Sequence, residues 1–119
     1  MNLAIVGTRN FNNYDLLKSI ILQNYNLNDI NYIVSGGARG ADSLAEKFAL
    51  DFGIETKIFL PDWDKYGKSA GYIRNCLIIE NADIIVAFWD GQSKGTKHSI
   101  DLAAKGKKEL KIVRYDEIK

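Results

Sequence analysis

Short apolar runs alternate with stretches of helical period along this chain. Leu3 to Val6 is continuous and apolar, as in a strand buried on both faces, and it ends in Gly7-Thr8-Arg9. Asn10 to Asn13 supply turn and cap chemistry. Leu16, Leu17, Ile20 and Ile21 then recur at helical spacing, which predicts a helix over about Tyr14 to Tyr25 capped by Asn12 or Asn13. After a loop over Asn26 to Asn31, Tyr32 to Val34 forms a second strand. Ala41, Leu44, Ala45, Phe48, Ala49 and Phe52 share one face of a second helix, with Gly53 at its C-terminal cap. Ile54, Thr56, Ile58 and Leu60 alternate with Glu55, Lys57 and Phe59, a third strand with one better-solvated face, near a sheet edge. Gly71 to Asn81 is predicted as a third helix with Ile73, Cys76 and Leu77 inward. Asp83 to Phe88, the most apolar run, is placed as a central strand. A helix follows to about Lys105, with Thr96 as its cap and Gly106 as its stop, and Leu110 to Val113 is a last strand.

Strand and helix alternating in this way predict an α/β, Rossmann-like three-layer fold: an open, mainly parallel five-stranded sheet with helices on both faces and right-handed crossovers. Gly7-Thr8-Arg9, Ser35 to Asp42, Asp62-Trp63 and Trp89 to Thr96 each follow a strand, so all four emerge at the carboxyl edge of one sheet, where such folds bind ligands.

Composition narrows the picture. The 119 residues fit one domain spanning the chain, and 46% hydrophobic with 26% charged residues describe an ordinary globular protein. The net charge of +1 is unevenly spread, since Lys94 to Lys119 carries 8 basic and 4 acidic residues; a solvated helix face and an edge strand account for that tail. Nucleic acid is therefore not expected as a partner. Cys76 is the only cysteine, which leaves no disulfide framework, and no cluster has metal-ligand spacing. No cofactor is expected. There is no signal-peptide pattern and no apolar stretch near the ~20 residues that span a bilayer, so a cytoplasmic protein without membrane attachment is expected. Helices of such folds often pair, which leaves a homodimer open.

The candidate chemistry lies in the turns. Ser35-Gly36-Gly37-Ala38-Arg39-Gly40 runs from strand to helix, continuing into Ala41 and Asp42, and its spacing fits neither a dinucleotide fingerprint nor a P-loop. Its glycines and the free N–H groups of a helix start suit a phosphate. Gly91-x-Ser93-x-Gly95-Thr96 offers the same at a second helix start. Arg9 and Arg39 stand in or beside glycine turns, where a guanidinium suits phosphate. Asp42 is a dipole-compatible cap or a ribose-hydroxyl partner; Asp90 is a turn residue or a polar group of the site. Trp63 and Trp89 either sandwich a base or fill the core, and Trp63 with Tyr66 either forms a lid or covers the core edge. Arg74, followed by Asn75, places a cation in the first turns of a helix, which points to an anion or to a carboxylate such as Asp62. His98 is expected to face solvent.

Gly7-Thr8-Arg9, Val34 to Asp42, Asp62-Trp63-Asp64-Lys65-Tyr66-Gly67, Ile73-Arg74-Asn75 and Phe88 to Thr96 together closely resemble the short YspA/YpsA-related branch of the SLOG superfamily, over nearly the whole chain. The resemblance implies a domain that binds a nucleotide or nucleotide-derived ligand, such as a phosphorylated nucleoside, an ADP-ribose-like molecule or a signalling nucleotide. Wider relatives include the LOG phosphoribohydrolases, which cleave the base from a nucleoside monophosphate, and DprA proteins, which bind single-stranded DNA. LOG enzymes carry Pro-Gly-Gly-x-Gly-Thr-x-x-Glu, whereas this chain keeps Gly95-Thr96 and has Ser99 where the glutamate would fall. Binding is therefore expected ahead of N-glycosidase activity, with single-stranded nucleic-acid binding third, and no catalytic residue is assigned.

Overall fold

A computed structural model describes residues 1–117. Five strands, β1 (Asn2–Gly7), β2 (Tyr32–Ser35), β3 (Glu55–Ile58), β4 (Ile84–Trp89) and β5 (Glu109–Arg114), form one sheet in the order β3-β2-β1-β4-β5. Every pairing is parallel. The helices are α1 (Tyr14–Asn24), α2 (Ala41–Asp51), a single turn α3 (Trp63–Tyr66), α4 (Ala70–Glu80) and α5 (Lys94–Lys105). This is the expected α/β, Rossmann-like architecture.

Alternation along the strands divides the core in two. Leu3 and Ile5 of β1, with Ile33, Val86 and Phe88, pack against Leu17 and Ile21 of α1 and Ala45 and Phe48 of α2. Ala4, Val6, Val34, Ile85 and Ala87 point to the other face and meet Ile78 and Ile79 of α4 and Ile100 and Ala103 of α5. A strand covered on both faces has no solvated side, which is why β1 and β4 read as unbroken apolar runs. The strand order reverses at β1 and β4, so the carboxyl ends of these two strands form the topological switch point. There Thr8 N–H donates to the Phe88 carbonyl at 3.0 Å. Phe11 fixes the loop beyond β1: its ring stacks on Phe88 at a centroid distance of 4.9 Å and meets Tyr115 at 4.7 Å, pairs worth about 0.5–1.5 kcal/mol each.

Several local expectations are corrected. Strand β3 is shorter than Ile54 to Leu60; Ile54 before it, Lys57 within it and Phe59 after it are half-buried, whereas Ile58 and Leu60 are exposed. The reason is its place at the sheet edge, where one face has little to pack on. As expected, β4 lies inside the sheet, between β1 and β5. Helix α4 turns Ala70, Arg74, Ile78 and Ile79 inward; Leu77 is exposed and Cys76 half-buried. Apolar residues lie nearly all around this helix, so the period alone left its rotation undetermined. The connection 61–70 holds α3 and a 3-10 turn over Gly67–Ser69. Among the described residues no helix is long and apolar enough to cross a membrane.

Candidate functional site

A cavity of about 610 Å3 opens at the switch point, lined by the segment Val6 to Asn10 beyond β1, by Ala38, Arg39 and Asp42, by Arg74, Asn75 and Ile78 of α4, and by Ser93, Gly95, Thr96 and Ser99 of α5. Its size lies within the about 300–1,000 Å3 of small-ligand sites. A smaller hollow of about 360 Å3 adjoins it, lined by Gly36, Gly37, Pro61 and Trp63, and shares Arg9, Ala38, Arg39 and Arg74 with it.

The glycine turn after β2 is shaped by close approach. At Gly40, φ is +73° and a Cβ would collide with the carbonyl oxygens of Thr8 and Arg9, so the first and second loops touch backbone to backbone there. Ala41 packs against Gly7 in the same contact; a Cβ on Gly7 would lie 2.7 Å from that of Ala41. Ser35 is fully buried and its hydroxyl donates to the Asp42 carbonyl at 3.3 Å. Ser35, Gly40 and Ala41 thus build the turn, and Ala38, Arg39 and Asp42 face the cavity.

Arg74 is the centre of the polar wall. Only 9% exposed, it donates from Nη1 to the Gly36 carbonyl at 2.6 Å and from Nε to Asn75 Oδ1 at 3.1 Å. A guanidinium only donates, so the Asn75 oxygen must face it; the amide nitrogen then faces His98, 3.2 Å away, and Nδ1 of the imidazole is the acceptor. His98 is accordingly half-buried rather than solvent-facing, with Tyr72 edge-on to its ring at 4.8 Å. Burial pulls the Arg74 pKa down, Asp42 opposes that, and Arg9 adds to it. The carboxylate facing Arg74 is Asp42, not Asp62: a Cβ on Gly36 would lie 2.5 Å from Arg74 Nη1 and 2.8 Å from Asp42 Oδ2. Burial raises the Asp42 pKa, and the Ala38 N–H, which donates to Oδ2 at 3.1 Å, and the charge of Arg74 work against the rise. Arg9 and Arg39 make no side-chain hydrogen bond or ion pair among the described residues, and both line both hollows.

The second glycine loop is only partly in the site. Asp90 accepts from Gln92 and Ser93 N–H at 2.9 and 2.8 Å, which holds its pKa below the ordinary carboxylate value and consumes it in the turn. Gly91 has φ +81° and lies against Arg114. Trp89 does not line the cavity; it is half-buried against the second core, its Nε1 donates to the Ser93 carbonyl at 3.1 Å and Arg114 lies over its face. Ser93, not Thr96, caps α5, accepting from Thr96 N–H at 3.4 Å. Ser93, Gly95 and Thr96 line the cavity. Asp62 caps α3 through Lys65 N–H at 3.1 Å and lines neither hollow. Trp63 is 54% exposed at the smaller hollow and Tyr66 is 40% exposed, so neither fills the core.

Val6, Asn10, Ile78 and Ser99 also line the cavity and were not among the candidates. Val6 and Ile78 carry no chemical signal in sequence, and Asn10 reads as turn chemistry. In sequence Ser99 stands out only as the position where the LOG glutamate would fall, and its place one helical turn after Thr96 also puts it on the cavity side. Among the described residues no group of three or more His, Cys, Asp or Glu is placed to hold a metal ion.

Comparison with known proteins sets this geometry in a family. The Gene 61 protein of Mycobacterium phage D29 is 38% identical over 79 residues, 61% of this chain and 63% of that protein. The DNA processing protein A structure from Helicobacter pylori matches with a TM-score of 0.73 and 24% identity over 94% of this chain and 64% of its own. That of Streptococcus pneumoniae matches with a TM-score of 0.59 and 17% identity over 97% and 59%. The chain thus spans under two thirds of the length of each of these relatives. The Helicobacter protein is described by its single-stranded DNA binding mode, which corrects the expectation that nucleic acid is not a partner. That expectation rested on a net charge of +1, and a net charge says little about arginines gathered at one edge of a sheet. The sequence profile of the YspA, cpYpsA-related SLOG family matches residues 1–66, over half of the chain, and the protein belongs to that family.

Proposed function

We propose that this protein binds a nucleotide or nucleotide-derived ligand in the larger cavity, its phosphate directed to Arg9, Arg39 and the glycine turns. The observation that carries the reading is the pair Arg9 and Arg39, free of protein partners among the described residues, standing over a cavity of about 610 Å3 into which two helix starts open. Buried Arg74 is already engaged and holds the turn rather than the ligand. Ser99 supplies a hydroxyl where a cleaving enzyme of the LOG kind would need a carboxylate, which favours holding a ligand over hydrolysing it.

Calorimetric titration with nucleoside mono- and diphosphates, cyclic forms and ADP-ribose tests this. At least one is expected to bind, and Gly36→Asp, which displaces Arg74 and adds a negative charge, is expected to weaken it by about tenfold or more, about 1.4 kcal/mol. No response across the panel would remove the reading. Single-stranded DNA is a second reading, favoured by the likeness to the Helicobacter protein and by the exposed indole of Trp63. Oligonucleotide binding that exceeds every mononucleotide would establish it.

A further inference from the structure

The smaller hollow gives the site a second compartment. Gly36 and Gly37 line it, and at Gly37, where φ is +70°, a Cβ would stand 2.5 Å from Leu60 Cδ2 and 3.2 Å from Ile58 Cγ2. Its outer wall is Trp63, an indole with 54% of its surface in solvent, though it is large and apolar. One edge of the indole faces the first turn of α4, with Cη2 3.8 Å from where a Cβ would stand on Gly71. Between this compartment and the larger cavity stand Arg9 and Arg39, which line both. An exposed aromatic face suits a flat base, and an unpaired guanidinium suits a phosphate. Here they occur in sequence across two adjoining hollows: cavity, cations, aromatic plate.

We propose that the ligand consists of two nucleoside units joined through phosphate, the first in the larger cavity, the linking phosphate at Arg9 and Arg39, and the second base stacked on Trp63. This rests on the nucleotide reading above and adds to it the number of units and the side chain that receives the second. A free dinucleotide and two consecutive residues of a single strand share this chemistry.

The test uses adenosine 5′-monophosphate, the 5′-phosphorylated dinucleotide pdApdA and a ten-residue deoxyadenosine oligonucleotide, each titrated into the whole chain and into Trp63→Leu. The wild type is expected to bind pdApdA at least tenfold more tightly than the monophosphate, and Trp63→Leu to erase most of that ratio. Because Trp63 is exposed, the variant is expected to melt like the wild type, which a thermal scan verifies. Equal affinity for one and two units, or a ratio that survives Trp63→Leu, overturns the second compartment while leaving mononucleotide binding intact. Absence of binding by all three probes overturns the nucleotide reading and this inference together. A further gain for the oligonucleotide over pdApdA identifies a strand as the source, and no gain identifies a soluble two-unit ligand.

Discussion

Arg74 lies in the first two turns of α4, where the helix dipole opposes a cation by about 0.3–1 kcal/mol and burial opposes it further. It persists because the Gly36 carbonyl, Asn75 Oδ1 and the nearby Asp42 carboxylate together replace its water. Asp42 carries the complementary strain. Burial raises its pKa above the ordinary 3.8, so the folded chain binds its proton more tightly than the unfolded chain does. Stability therefore falls as pH rises from the unfolded value through the folded one, and is level on either side of that window. Asp42→Asn removes the titration. Urea melts of both proteins from pH 3 to pH 7 are expected to show wild type losing ground to the variant as pH rises, by about 1.4 kcal/mol per unit separating the two pKa values. A difference between the two that is independent of pH would mean that Asp42 ionises equally easily in both states.

At the scale of elements, the contact between the turn after β1 and the turn after β2 decides the shape of the site. Gly40 brings them together at a φ of +73°, facing two backbone carbonyls that cannot move aside as a side chain can. Gly40→Ala is expected to lower stability by about 3 kcal/mol, read as a lower urea midpoint at unchanged slope. Midpoints that coincide would show that the turns separate without cost. This turn was legible in the sequence because three glycines between an apolar run and a helical period have few other uses. The strands were legible for a similar reason, since β1 and β4 are covered on both faces. The rotation of α4 was not: Ile73, Cys76 and Leu77 are as apolar as Ala70, Ile78 and Ile79, and the inward position of Arg74 depends on Gly36 and Asp42, which come from a distant part of the chain. Trp89 packs on the second core, one of the two places its sequence allowed, and its other partner, Arg114, arrives only with β5. Asp90 carried a sequence signal of its own, and the turn role that it announced is the one its hydrogen bonds show.

Charge is arranged on the whole molecule so that its total conceals its distribution. Helix α5 runs from the carboxyl edge of the sheet to the amino edge, and takes Lys105, Lys107 and Lys108 away from the cavity; Lys108 Nζ donates to the Ala82 carbonyl ahead of β4. Lys97 is paired with Asp101, and Arg114 with Asp116. Most of these cations are thereby paired or on the far side, and among the described residues the cavity-lining cations without a protein partner are Arg9 and Arg39. Two phosphate contacts on a single strand predict a dependence of log affinity on log salt of about −1.4, at about −0.7 per phosphate. Arg9→Gln or Arg39→Gln is expected to bring the slope to about −0.7, and the double variant to near zero. Oligonucleotide binding measured by fluorescence anisotropy from 50 to 300 mM salt reads these slopes directly. A wild-type slope of about −3 or steeper would show that the strand also reaches the lysines at the amino edge, and a slope left at −1.4 in both single variants would take the phosphate away from these arginines.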